Sequence, residues 1–379
     1  MISRALIPAA GRGQRAYPKT EYLPKVLLDI DGKPLIQRNI ELLRDRLGVR
    51  DFTVIVGYMG ERVRRALGDG APLGVTIRCV ECAHVERGLA AGMMLARDLF
   101  DGPFVTVLGD ELYLDSNHAD LLAVAAEPYD AICAVQRGAS ADQIRRNYAV
   151  RVEGGRITAL VEKPVQVEND LLGCGTYVFT PRIFDAIASS PPSPRSGRVE
   201  LTDAINRLAG GEPGVRAFYL EGTYFNINSA ADHNYAQYVA RAARMPASRV
   251  SVVVPAYNEA ESIEYVVRDF RDRVHEVLVV DNSSTDDTAR IARAAGARVE
   301  TVRLHGYGDT IRWGLDHAVG DVLVVTEADF SFRARDLGKL LEYLKDADMV
   351  VGTRTTRELI EQGTNMRGPV RWGNIAVAK

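Results

Sequence analysis

Short apolar runs rich in β-branched residues alternate with amphipathic stretches from the first residues onward. RALIPAAG, FTVIVGY, FVTVLGD and DAICAVQ have the nearly continuous apolar character of strands buried on both faces. Between the first two, PLIQRNIELLRDRL repeats its apolar positions at helical spacing. Alternation of this kind predicts a mostly parallel sheet with helices on both faces. Near residue 246 the pattern starts again. After YVARAARMPAS come RVSVVVPAY, EVLVVDNSSTDDTARIARAAG, DVLVVTEADF and ADMVVGTR, the same architecture without the same sequence. The expectation is two α/β domains in tandem, residues 1–246 and 249–379, each on a mostly parallel sheet. The cluster SSPPSPRSG at 189–197 interrupts the first pattern, which then resumes, so it is expected to be a surface loop.

Composition narrows the function classes. A chain of 379 residues suits two cores, and a net charge of −3 offers no basic field for nucleic acid. A small phosphorylated ligand needs only a local positive pocket. No run of 18 apolar residues occurs, and the start lacks a signal-peptide pattern. Four cysteines read as reduced thiols; Cys79 and Cys82 form a C-x-x-C with no second pair to complete a zinc site. The expected location is the cytoplasm, with peripheral membrane contact left open.

The densest chemistry lies in IPAAGRGQRAYPKTEYLPK, residues 7–25. A glycine-rich turn after a buried strand can aim several backbone N–H groups into one concavity, a nest for phosphate oxygens. Ala10, Gly11 and Gly13 would form it. Arg15 and Lys25 add a bidentate fork and a mobile point charge, suited to different oxygens of a polyphosphate.

The spacing G-x-G-x-R, then Pro18-x-Thr20, then Pro24-Lys25, resembles the signature of the sugar nucleotidyltransferases, or nucleotide-sugar pyrophosphorylases. Further marks of that family recur in order over about residues 1–240: LGD at 108–110, VEKP at 161–164, GCGTYVF at 173–179 and YFNINSAAD at 224–232. The resemblance implies attack by a sugar 1-phosphate on the α-phosphorus of a nucleoside triphosphate, releasing pyrophosphate. It implies Mg²⁺ held by Asp110 and Asn228, with Arg15, Lys25 and Lys163 as catalytic cations. It places Glu162 and Gly175 at the sugar and Gly88, in RGLAAG, near the base. Asn226 and Asn228 stand where many relatives carry aspartate. Relatives that activate phosphocholine, inositol phosphate or phosphonates with CTP keep a non-sugar acceptor open, and a non-catalytic nucleotide-sugar sensor is a third alternative.

In the second region SVVVPAYNEAESI, VVDNSSTDDTARIA and TEADFSF together resemble the family 2 glycosyltransferases that act on polyprenyl phosphates. The resemblance implies that Asp281 meets base or ribose, that Asp329 carries a metal and the donor diphosphate, and that Arg354 meets substrate. Both regions would then be Rossmann-like sheets of the glycosyltransferase A type. The second reads as incomplete at its C-terminus and as a user of the first region's product, with a polyprenyl phosphate as acceptor. Homo-oligomerisation is left open.

Overall fold

The computed structural model describes residues 2–352. Arg354 therefore lies outside the described residues. The chain divides into two units, Met1–Ala240 and a second that begins at Arg241.

The first unit is built on a nine-stranded sheet. In spatial order its strands are Thr76–Glu81, Asp51–Val56, Arg4–Ala9, Phe104–Val107, Leu172–Phe179, Ala131–Gln136, Val215–Tyr219, Arg156–Glu162 and Tyr148–Glu153. The first four run parallel to one another; Asp51–Val56, Arg4–Ala9 and Phe104–Val107 are the near-continuous buried runs expected of such strands, and Thr76–Glu81 is the partly exposed edge. The helix Leu35–Leu47 covers one face by burying Leu35, Ile36, Ile40, Leu43 and Leu47, and Gly48 ends it in the left-handed conformation.

Beyond Phe104–Val107 the sheet is mixed rather than mostly parallel. Leu172–Phe179 runs antiparallel to both its neighbours, and Arg156–Glu162 is antiparallel to Tyr148–Glu153 and Val215–Tyr219. The cause is the two-glycine turn Gly154-Gly155, both at positive φ. It folds the chain back as a hairpin where a helical crossover would have kept the direction.

A separate two-stranded ribbon joins Glu111–Leu114 to Thr223–Asn226, with Glu111 opposite Asn226. Its inner end packs against a buried polar group. His118 is fully buried; its Nδ1 lies 2.8 Å from Ser116 Oγ and its Nε2 3.0 Å from Thr176 Oγ1.

In the second unit four strands, Arg298–Thr301, Glu276–Asp281, Val250–Ala256 and Val322–Val325, form a sheet with every pairing parallel. Its core packs Val252, Val254 and Val279 against Val266, Val267 and Phe270 of the helix Ile263–Arg271. No helix among the described residues is long and apolar enough to cross a membrane.

Burial pushes the His118 imidazole down to about 4. Because the unfolded histidine titrates near 6.5, the unfolded chain takes up the proton first on acidification. The stability tied to neutral His118 is complete above about pH 6.5 and is lost as pH falls toward 4, roughly 3 kcal/mol over the window. Urea denaturation followed by circular dichroism at pH 7, 5.5 and 4 should show this slope, and His118→Asn should flatten it. An unchanged slope in the variant would contradict the assignment.

Candidate active site

At the end of strand Arg4–Ala9 the chain turns through Gly11–Gly13. Gly13 sits at φ +63°, and a Cβ there would stand 3.0 Å from Lys25 Cβ. Both the left-handed backbone and the packed Lys25 stem therefore require glycine. Gly13 C=O accepts from the Ala16 N–H at 2.9 Å and from the buried Thr20 hydroxyl at 2.8 Å. Ala10 C=O accepts from Tyr58 N–H at 3.0 Å. The proline-x-threonine that follows the glycines thus has a mechanical role: Thr20 ties the loop's far end to its apex.

The cations and their partners converge beside this loop. Lys25 Nζ lies 2.6 Å from Asp110 Oδ2 and 3.4 Å from Asn228 Oδ1, with its side chain only 10% exposed. Arg15 Nη2 donates to the same Asn228 oxygen at 2.6 Å. Asp110 and Asn228 are far apart in sequence, and the ribbon brings them together through the Ile227 N–H donating to Asp110 C=O at 3.0 Å. Asn228 is then fixed by the helix that follows. Asp232 Oδ2 accepts from the N–H groups of Asn228 and Ser229, and Ser229 Oγ accepts from the Asp232 N–H.

Ala10, Gly11, Gly13, Arg15, Lys25, Gly88, Asp110 and Asn228 all line one cleft of about 800 Å³. Glu162, Lys163 and Gly175 stand outside that lining. Lys163 is exposed at φ +46°, held by its N–H to Asn147 C=O at 2.8 Å. Burial, and then the neighbouring Glu200, raise the Glu162 carboxyl above the usual range, while Lys163 and Arg195 pull it down. Asn226 is turned toward Asn147 and Glu111, away from the Arg15–Asn228 contact.

Three residues escaped the motif analysis. Glu111 is buried, and desolvation, followed by the adjacent Asp110, pushes its carboxyl up to about 8 against hydrogen bonds from Tyr113, Tyr224 and Gly175. Arg195 and Arg198 come from the proline-serine loop. Arg195 Nη2 lies 3.3 Å from Glu200 and 3.7 Å from Glu162, and Arg198 lines the cleft opposite Gly88. The sequence signal was present as an arginine on either side of Ser196-Gly197, followed by Glu200 and Asp203, but nothing local says which way the loop faces.

In the second unit a cleft of about 710 Å³ opens at the carboxyl ends of the parallel strands, lined by Tyr257, Asn282, Arg303, Tyr307, Glu327 and Asp329 among others. Its rim is interlocked. Asn258 Oδ1 accepts from Thr285 N–H, Ser284 Oγ from Asn258 N–H, and Thr288 Oγ1 from Glu259 N–H, which explains why YNE and NSSTDDT occur as partners. Asp281 lies just beneath the rim, buried, accepting from Ser284 N–H at 3.3 Å. Among the described residues of the chain no group of three acidic, histidine or cysteine side chains could hold a metal.

Comparison with known proteins follows the same division. The nucleotidyl transferase family model matches residues 4–226, and the model of glycosyl transferase family 2 matches residues 251–371. UTP–glucose-1-phosphate uridylyltransferase AglF of Haloferax volcanii is 31% identical over 240 residues, covering 62% of this chain and 95% of that protein. Glucose-1-phosphate thymidylyltransferase of Streptomyces antibioticus is 31% identical over 230 residues, and this chain spans 64% of its length. UDP-glucose pyrophosphorylase complexed with UDP-glucose superposes with a TM-score of 0.56 at 24% identity, covering 64% of this chain and 100% of that one, a likeness of fold. The chain belongs to the nucleotidyl transferase family, and it carries a region of glycosyl transferase family 2 after it.

Proposed function

We propose that residues 1–246 transfer a nucleotidyl group from a nucleoside triphosphate to a sugar 1-phosphate and release pyrophosphate. The observation that carries this is the convergence of Arg15, Lys25, Asp110 and Asn228 beside the glycine loop in one cleft. The names of the relatives support a hexose 1-phosphate with a uridine or thymidine triphosphate.

Both reactants are anions, so the site must neutralise and align them; no strong base or protein nucleophile is required. The loop's N–H groups cradle the triphosphate. Arg15 holds the departing pyrophosphate, Lys25 the α-phosphate and Lys163 the attacking phosphate, while Glu162 takes sugar hydroxyls. Arg198 adds a further cation from across the cleft. Asp110 Oδ2 and Asn228 Oδ1 already point at one cation, the Lys25 ammonium. Mg²⁺ needs only one or two protein oxygens when phosphates and waters complete its shell, so this pair fits it. Bound there, it would spread the charge of the phosphate oxygens.

Residues 249–379 would take a nucleotide sugar and pass its glycosyl group to an acceptor phosphate such as a polyprenyl phosphate. Asp329, Glu327 and Arg303 around a cleft at the strand ends support this. Both halves are then sheets of the glycosyltransferase A type acting in sequence in the cytoplasm.

Pyrophosphate release should be measured with Mg²⁺ for each of CTP, UTP, GTP, dTTP and ATP against sugar 1-phosphates, inositol phosphate, phosphocholine and a phosphonate. Turnover with one nucleotide and a sugar 1-phosphate is expected; turnover only with CTP and a non-sugar phosphate would replace this reading. With the active pair, Asp110→Asn should lower kcat about 100-fold or more, and a variant within a few-fold of wild type would remove Asp110 from the metal site. Transfer of label from the product to polyprenyl phosphate in vesicles should vanish in Asp329→Asn. Persistence of that transfer would leave the second cleft without its assigned acid.

A further inference from the structure

Beneath the floor of the first cleft, one carboxyl gathers hydrogen bonds from four directions. Glu111 is 1% exposed. Its Oε2 accepts from Gly175 N–H at 2.7 Å and from the Tyr113 hydroxyl at 2.6 Å. Its Oε1 accepts from the Tyr224 hydroxyl at 2.8 Å and from Asn226 Nδ2 at 3.4 Å. The Asn226 amide is shared, because Nδ2 also donates to Asn147 Oδ1 at 2.9 Å. Asn147 C=O in turn accepts the N–H of Lys163 at 2.8 Å, a residue standing at φ +46°. A hydrogen-bonded path therefore runs from Glu111 through Asn226 and Asn147 to the backbone of Lys163, and a second bond runs directly to Gly175.

Gly175 is bound to Glu111 by shape as well. A Cβ at 175 would fall 2.4 Å from the Glu111 carboxyl, so the missing side chain makes room for this acid. The triphosphate side has its own fastenings. Arg15 is held on Asn228, Lys25 on Asp110, and Asp110 C=O on Ile227 N–H.

We propose that Glu111 is the positioning residue for the acceptor half of the reaction, setting Gly175 directly and Lys163 through Asn226 and Asn147 without touching substrate. The proposal rests on the assignment of Lys163 to the attacking phosphate and Gly175 to the sugar. When ionised, Glu111 accepts all four bonds, so a glutamine must turn its NH₂ toward one of the donors. The Gly175 N–H cannot reverse and the tyrosine hydroxyls can, which leaves Asn226 to give way. If its amide flips to accept from the glutamine, it no longer donates to Asn147, and the path to Lys163 is cut.

The test uses the full chain in three forms, wild type, Glu111→Gln and Asn226→Ala, at about pH 9, where the Glu111 carboxyl is ionised. Steady-state pyrophosphate release is measured with each substrate varied in turn. Glu111→Gln should raise KM for the sugar 1-phosphate about tenfold, the scale of one buried hydrogen bond lost, with KM for the nucleotide changed less than about twofold. Asn226→Ala should raise KM for the sugar 1-phosphate by a similar factor, because it cuts the path at the donor to Asn147. Hydrogen exchange on the same proteins gives a readout independent of turnover. The peptide holding Lys163 should exchange faster in both variants, while the peptides holding Gly175, which keeps an oxygen acceptor at residue 111, and Ala16 stay as in wild type. Equal rises in both KM values, an Asn226→Ala variant with wild-type KM for the sugar 1-phosphate, or unchanged exchange at Lys163 would overturn the proposal. If the wild type turns over no sugar 1-phosphate, the functional assignment fails instead, and the exchange experiment alone decides whether Glu111 positions these segments.

Discussion

The Lys25 ammonium, held between the Asp110 carboxylate and the Asn228 amide oxygen, is the contact on which the first unit's cleft depends. A lysine side chain only 10% exposed would be costly without an anionic partner. Its presence therefore dictates much around it. The stem of Lys25 packs where a Cβ on residue 13 would stand, so the loop must be glycine there. Asp110 must arrive at the same point as Asn228, and the ribbon of Glu111–Leu114 with Thr223–Asn226 delivers both. Asp232 then stops Asn228 from drifting by accepting two N–H groups at the start of a helix. Substrates rich in negative charge would meet cations whose positions are already set, so little reorganisation remains at the moment of reaction.

What could be read from the sequence divides by distance along the chain. The glycine loop, Thr20 and Lys25 are neighbours, so their association is legible as spacing. The strand–helix alternation was likewise local, and it announced an α/β chain with a restart near residue 246. The antiparallel half of the first sheet was harder to see, because the Gly154-Gly155 turn reverses the strand Arg156–Glu162 while leaving the apolar pattern intact, and Val215–Tyr219 then resumes the original direction beside Ala131–Gln136. Glu111 was illegible for a different reason. Its donors at 113, 175, 224 and 226 are scattered over the chain, and an acid beside Asp110 looks like one more solvated charge until the fold buries it. Arg195 and Arg198 sat in a proline-serine stretch whose composition says surface and says nothing of which surface.

The same physical device recurs in the second unit with different parts. Parallel strands end together, their loops interlock through Asn258, Ser284, Thr285 and Thr288, and acids at 327 and 329 face the opening. A chain that carries both clefts fits a sequence of two reactions in which a nucleotide sugar is made and then spent.

In the proposed reaction charge placement alone, with no covalent protein intermediate, carries the nucleotidyl transfer. The most direct test is the configuration at phosphorus when the wild-type chain converts a chiral nucleoside α-thiotriphosphate and its sugar 1-phosphate into product. A single in-line displacement predicts inversion. Retention would require two displacements through a side-chain nucleophile, and would contradict the account.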